Sequence, residues 1–138
     1  FVTLLFVLLD PKAKCIRYAS AGHPPGLWID GKGKPKQELR RTGIPLGLRP
    51  DTEYTVSKDY SLADGDLLAL MTDGVEESLT PEQELFGSKR VHDLLRENRS
   101  KPASILVELL HQQARKHIAG LDQPDDYTTI IIKVAEND

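Results

Sequence analysis

The chain has 138 residues, 39% of them hydrophobic and 28% charged, and carries a formal net charge of −3. That size suits one domain with one modest core, and that balance is globular rather than disordered. Both signs of charge are spread along the sequence, so no basic field exists to hold a nucleic acid.

Phe1–Leu9 is rich in Val, Phe and Leu and reads as a strand, ended by Asp10-Pro11. No basic region precedes this run and no cleavage site follows it, which argues against a signal peptide. It is also too short to cross a bilayer as a helix, so no membrane contact is expected from it. After a Lys12-Ala13-Lys14 turn, Cys15–Ala19 alternates with Ile16 and Tyr18 on one face, which predicts a hairpin. Cys15 is the sole cysteine, so an intrachain disulfide is impossible; a reducing cytoplasm and a small buried side chain fit. Gly22-His23-Pro24-Pro25-Gly26 breaks the pairing, because two prolines remove backbone donors. Leu27-Trp28-Ile29 resumes a strand, Asp30-Gly31 signals a turn, and Lys32–Lys36 reads as a polar connector.

Thr42–Leu48 is punctuated by two glycines and a proline, which predicts an ordered loop with apolar anchors. Glu53–Val56 is expected to be a strand and Ser61–Asp66 a turn. Asp66–Thr72 is the central strand, and its unbroken apolar character implies cover on both faces. Two helices follow. Leu85–Asn98 carries Val91, Leu94 and Leu95 at helical spacing. The second starts at a Ser100 cap with Pro102 in its first turn, and its stripe is Ala103, Leu106, Val107, Leu110, Ala114 and Ile118 before a stop at Gly120. The last strand runs from about Thr128 to Val134.

Two acidic turns stand out. Thr72-Asp73-Gly74 closes the central strand, and Asp125-Asp126-Tyr127-Thr128 opens the last one. Carboxylates at such positions can meet at one rim of a sheet, and without nearby Cys or His they suit a hard divalent cation. Gly74 permits close backbone approach. Read alone, Asp73-Gly74 is equally an ordinary turn, and the Asp125-Asp126 pair is more often a plain strand-entry turn. Asp125 and Asp126 point to opposite faces of an extended chain, so at most one of them meets Asp73. His23 reads as a structural corner, since no carboxylate is placed to orient it. His92, His111 and His117 fall on the helices, where they read as solvated. No Gly-x-Ser-x-Gly elbow or nucleotide phosphate loop is present.

Taken in order, these signals resemble the C-terminal part of the SpoIIE-type branch of the metal-dependent PPM (PP2C-like) serine/threonine phosphatases. The matching stretches are Phe1-Val2-Thr3-Leu4 with Leu9-Asp10-Pro11, Tyr18-Ala19-Ser20-Ala21-Gly22-His23-Pro24-Pro25, and Gly43-Ile44-Pro45-Leu46-Gly47. Gly65-Asp66 through Thr72-Asp73-Gly74-Val75, then Phe86-Gly87, and finally Asp125-Asp126-Tyr127-Thr128 complete the series. The resemblance implies an α+β fold, a partial αββα sandwich of antiparallel sheets flanked by helices whose N-terminal strands and helices are missing. Residues 1–138 would then be the C-terminal portion of a single phosphatase domain. It further implies that Asp73 and Asp125 are metal ligands, with Asp126 beside the site. Two Mn²⁺ or Mg²⁺ ions would share a water for in-line attack on a phosphoserine or phosphothreonine. No covalent intermediate is then required, in keeping with the absence of a Ser or Cys nucleophile. The implied substrate is a phosphoprotein, typically a STAS-domain anti-anti-sigma factor, and the stretch from Val75 to about Asn98 matches a region that links regulation to the metal site. The acidic stretches Glu76-Glu77 and Glu82–Glu84 within it read, residue by residue, as a solvated face.

One departure is plain. The family's metal-bridging Asp, usually within Asp-x-x-Gly-His-Gly, has no counterpart here, because Ala19 stands where Ala21-Gly22-His23 would require it. The chain also lacks an initiator Met and opens inside an apolar run, so it is expected to be a piece of a longer polypeptide. Weak Mn²⁺ or Mg²⁺ binding, and either a homodimer that completes open sheet edges or a partial fold of reduced stability, are the corresponding expectations. The alternative to an enzyme is a binding or dimerisation module that keeps the fold without the chemistry.

Overall fold

The computed structural model describes residues 1–123 and 125–136. Among these residues seven strands and two helices follow one another as β1 (Leu4–Asp10), β2 (Cys15–Ala21), β3 (Gly26–Ile29), β4 (Pro35–Leu39), β5 (Tyr60–Ser61), β6 (Leu67–Met71), α1 (Gly87–Asn98), α2 (Ala103–His117) and β7 (Thr129–Lys133). They form two antiparallel sheets, ordered β1-β2-β5 and β4-β3-β6-β7, with both helices on one side.

The alternation of strand side chains explains the stacking. On β6, Leu67, Ala69 and Met71 pack with Ile29 of β3 against Val91 and Leu95 of α1 and Leu106, Leu110 and Ala114 of α2. Leu68 and Leu70 point the other way. They join Trp28 and Leu39 against Ile16, Tyr18, Leu5 and Val7 of the first sheet. β6 is therefore covered on both faces, as its uninterrupted apolar sequence requires. β1 differs: Leu5 and Val7 pack inward, whereas Leu4, Phe6 and Leu8 stand on the outer face, with Phe6 61% exposed.

The expected β1–β2 hairpin forms with Asp10 opposite Cys15, and the Asp10 carboxylate accepts the amides of Lys12 and Ala13 in the turn. Several sequence expectations need correction. The last two residues of the Lys32–Lys36 connector open edge strand β4, which the Asp30 turn makes possible by accepting the amides of Lys32 and Lys34 and so closing the hairpin. Pro35 is tolerated as the first residue of an edge strand. Glu53–Val56 is not a strand. Beyond it Ser57 meets both backbone groups of Tyr18, its amide donating to the Tyr18 carbonyl at 2.8 Å and its hydroxyl accepting the Tyr18 amide at 2.9 Å in place of a ladder bond, and the regular ladder with β2 starts only at Tyr60. α1 begins at Gly87 rather than Leu85, because the Phe86 and Gly87 amides go to the carbonyls of Ser78 and Glu76. Pro102, not Ser100, precedes the first turn of α2. Cys15 is half-buried rather than buried.

The Thr42–Leu48 loop is held less by apolar anchors than by backbone. Gly43 donates to Ser20 and accepts from Gly22, while Val2 and Leu46 exchange both hydrogen bonds. Leu48 is exposed. A Cβ on Gly22, where φ is +66°, would lie 2.3 Å from Cγ of Pro45, so this loop packs directly on the Gly22-His23 corner.

Candidate metal centre

β6 and β7 are paired from Leu67 with Lys133 to Met71 with Thr129, so the end of one strand and the start of the other lie at the same rim. The pairing continues past the ladder. The Thr72 amide donates to the Thr128 carbonyl at 3.1 Å, and the Thr128 amide donates to the Thr72 hydroxyl at 3.2 Å. That hydroxyl in turn donates to the Asp126 carbonyl at 3.3 Å. Gly74 touches the same carbonyl: a Cβ there would stand 2.5 Å from it and 3.3 Å from Cδ1 of Tyr127. Asp73 is thus flanked on both sides by residues in contact with the 126–128 turn.

The two acidic turns meet through their backbones, and the side chains differ in setting. Asp73 is half-exposed, at the head of a turn in which the Glu77 amide donates to the Asp73 carbonyl. Asp125 and Asp126 are exposed, and one Asp125 carboxylate oxygen accepts the Asp126 amide at 2.7 Å. The carboxylates of Asp73, Asp125 and Asp126 are hard oxygen donors, the chemistry that Mn²⁺ and Mg²⁺ take. By number the fit is incomplete. Among the described residues no three His, Cys, Asp or Glu side chains converge as a ready-made cation site.

Glu76 belongs to this rim although its sequence suggests a solvated face. It is half-buried, and burial first, then the charges of Asp73, Glu77 and Glu38, raise its pKa above the ordinary carboxylate value. The available signal was its spacing, three residues after Asp73 in a turn that buries Val75 and Ser78. Glu77 is exposed as expected.

His23 is fastened at both ring nitrogens. Nε2 lies 3.1 Å from the Met71 carbonyl, which can only accept, so Nε2 carries the proton and Nδ1 accepts from the Thr3 hydroxyl at 3.1 Å. It is the structural corner its sequence suggests. The helix histidines correct the expectation of solvated side chains. His111 is half-buried, hydrogen-bonded to the Thr129 hydroxyl at 3.0 Å and packed on the Tyr127 ring. Nε2 of His92 is buried, and His117 meets the Glu84 carbonyl at 2.9 Å and packs on Phe86.

The chain and its fold are similar to known proteins. The model of the stage II sporulation protein E (SpoIIE) family matches residues 1–135. Phosphoserine phosphatase RsbP of Bacillus subtilis is 33% identical over 139 residues, covering 97% of this chain and 31% of that protein. The SiaA-PP2C domain of Pseudomonas aeruginosa superposes with a TM-score of 0.77 at 25% identity, over 92% of this chain and 49% of that one. The manganese-presoaked SpoIIE phosphatase domain of Bacillus subtilis shares the fold, with a TM-score of 0.74 at 19% identity over 99% of this chain and 57% of that one. The chain spans only 20% to 39% of the length of the curated relatives it matches.

Proposed function

This chain belongs to the SpoIIE family of PPM-type phosphatases, and from that premise we propose that it contributes Asp73 and Asp125 to a metal centre that hydrolyses phosphoserine or phosphothreonine on a regulatory protein. The substrate we propose is a STAS-domain anti-anti-sigma factor, met in the cytoplasm, and the cation is Mn²⁺ or Mg²⁺. Residues 1–138 are read as the C-terminal portion of one phosphatase domain, with the remaining ligands supplied by other parts of the protein.

The observation that carries this reading is the lock between the two acidic turns, in which Thr72 and Gly74 hold the 126–128 backbone on either side of Asp73. Carboxylates on strand ends are held more firmly than carboxylates on free loops, which is what a ligand position needs. Asp73 and Asp125 would hold the cation, and Asp126 would orient the turn through its backbone. Bound divalent cations supply the chemistry by lowering the pKa of water and offsetting phosphoryl charge. His23 fixes the Met71 carbonyl two residues before Asp73, which orients the strand end. The exposed Leu4, Phe6 and Leu8 row on β1 favours a second reading, an interaction or homodimerisation module built on that strand.

Asp73→Asn and Asp125→Asn in the full-length protein separate the two. Hydrolysis of a phosphoserine peptide is expected to require Mn²⁺ and to fall about a hundredfold or more in each variant, since even partners outside the ligand shell cost 10–100-fold. Mn²⁺ uptake measured by calorimetry is expected to weaken in parallel. Equal heats for wild type and both variants would remove these residues from the site and leave the module reading.

A further inference from the structure

We infer that Ser78 and Tyr127 form a hydroxyl brace that sets the spacing of the Asp73 and Asp125 turns, and that these two are positioning residues for the cation. The inference rests on the metal-site reading above. Ser78 is fully buried, and its Oγ lies 2.9 Å from the Gly74 carbonyl and 2.6 Å from the Tyr127 hydroxyl. A carbonyl only accepts, so the single Ser78 proton goes to Gly74. The Tyr127 hydroxyl must therefore donate to Ser78. The result is a directed chain from Tyr127 to Ser78 to the residue next to Asp73.

Both ends of this chain are anchored. Tyr127 is packed against the helix-side core, its ring centroid is 5.6 Å from that of His111, and His111 is itself bonded to Thr129 at the start of β7. At the other end, Val75 is fully buried beside Gly74. The Thr72 amide and hydroxyl bonds join the first turn to the backbone of the second, close to the sheet. Ser78 and Tyr127 join them a second time, from the helix side. Two attachments at different points fix an angle as well as a distance, so the brace removes a hinge that the Thr72 bonds alone would leave. Nothing in the pair touches a substrate or reacts.

The test uses the full-length protein with Tyr127→Phe, which keeps the ring and its packing, and Ser78→Ala, which removes both bonds. Mn²⁺ affinity is read by electron paramagnetic resonance of the free ion, phosphopeptide hydrolysis at saturating Mn²⁺ gives kcat, and urea unfolding without metal gives stability. One buried hydrogen bond corresponds to about a fivefold change in an equilibrium constant. Mn²⁺ affinity is therefore expected to weaken about fivefold in Tyr127→Phe and more in Ser78→Ala, with kcat at saturation within about twofold of wild type. Stability loss with unchanged Mn²⁺ affinity in Tyr127→Phe would make the pair merely structural and overturn the inference. Asp73→Asn is the reference: if it too leaves Mn²⁺ affinity unchanged, the metal-site reading itself has failed.

Discussion

Replacing Gly74 by Ala places one methyl group between the two acidic turns. The new Cβ would stand 2.5 Å from the Asp126 carbonyl oxygen, a backbone atom that cannot rotate away. Carbon-to-oxygen contacts close at about 3.3 Å, so the turns must separate by roughly 0.8 Å. The bond from the Thr72 amide to Thr128, now 3.1 Å, would stretch toward about 3.9 Å and no longer count as a hydrogen bond. Overpacking costs about 1–3 kcal/mol and a lost hydrogen bond about 1 kcal/mol. A displacement near 1 Å at a reacting centre lowers turnover by about 10²-fold. Gly26→Ala is the contrast, since its Cβ at 2.9 Å would meet Cδ2 of Leu70, the far end of a side chain that can turn. Urea unfolding and Mn²⁺-dependent phosphopeptide hydrolysis by full-length Gly74→Ala and Gly26→Ala are the assays. An unchanged urea midpoint together with kcat/KM within twofold of wild type for Gly74→Ala would refute the reasoning.

Two further outcomes are expected. Burial chiefly, and Arg115 secondly, hold the His111 pKa below its ordinary value. The unfolded chain therefore takes up this proton first, near pH 6.5. The His111 contribution is complete above that pH and is lost as pH falls from there to the folded pKa. Urea midpoints between pH 7.5 and 5 should fall less steeply in His111→Gln, and an unaltered slope would count against this account. Asp66 is fully buried and paired with Lys36 at 2.7 Å, with the Ala63 amide on the same oxygen. Lys36→Met should cost about 2–3 kcal/mol, below the 3–5 kcal/mol of a fully buried pair because the Lys36 side chain is 35% exposed. Adding Asp66→Asn should recover part of that loss in the same unfolding experiment.

The parts of the fold legible in the sequence were those written in side-chain periodicity. Leu67–Met71 announces a strand covered on both faces, and the stripe on α2 announces the layer that covers one of them. β4 escaped because Pro35, Lys36, Gln37 and Glu38 carry no apolar alternation; its pairing is dictated by the Asp30 turn rather than by its own residues. Glu53–Val56 failed for the opposite reason, since local β-propensity cannot foresee that Ser57 will take the Tyr18 amide. At the site, Asp73 and the Asp125 turn were visible because a carboxylate beside a buried strand breaks the pattern around it. Ser78 and Glu76 were not. Each is polar in a polar stretch, and only the path of the turn after Gly74 decides that one is buried and the other half-buried.

His23 gives the two sheets a shared mechanical element. Thr3, which it holds at one nitrogen, leads into β1 of the first sheet, while Met71, held at the other, ends β6 of the second. The imidazole is therefore a rigid strut across the sandwich, set two residues from Asp73. Sliding of one sheet over the other would be delivered as a push on the carbonyl at that rim instead of dissipating in the side chains between them.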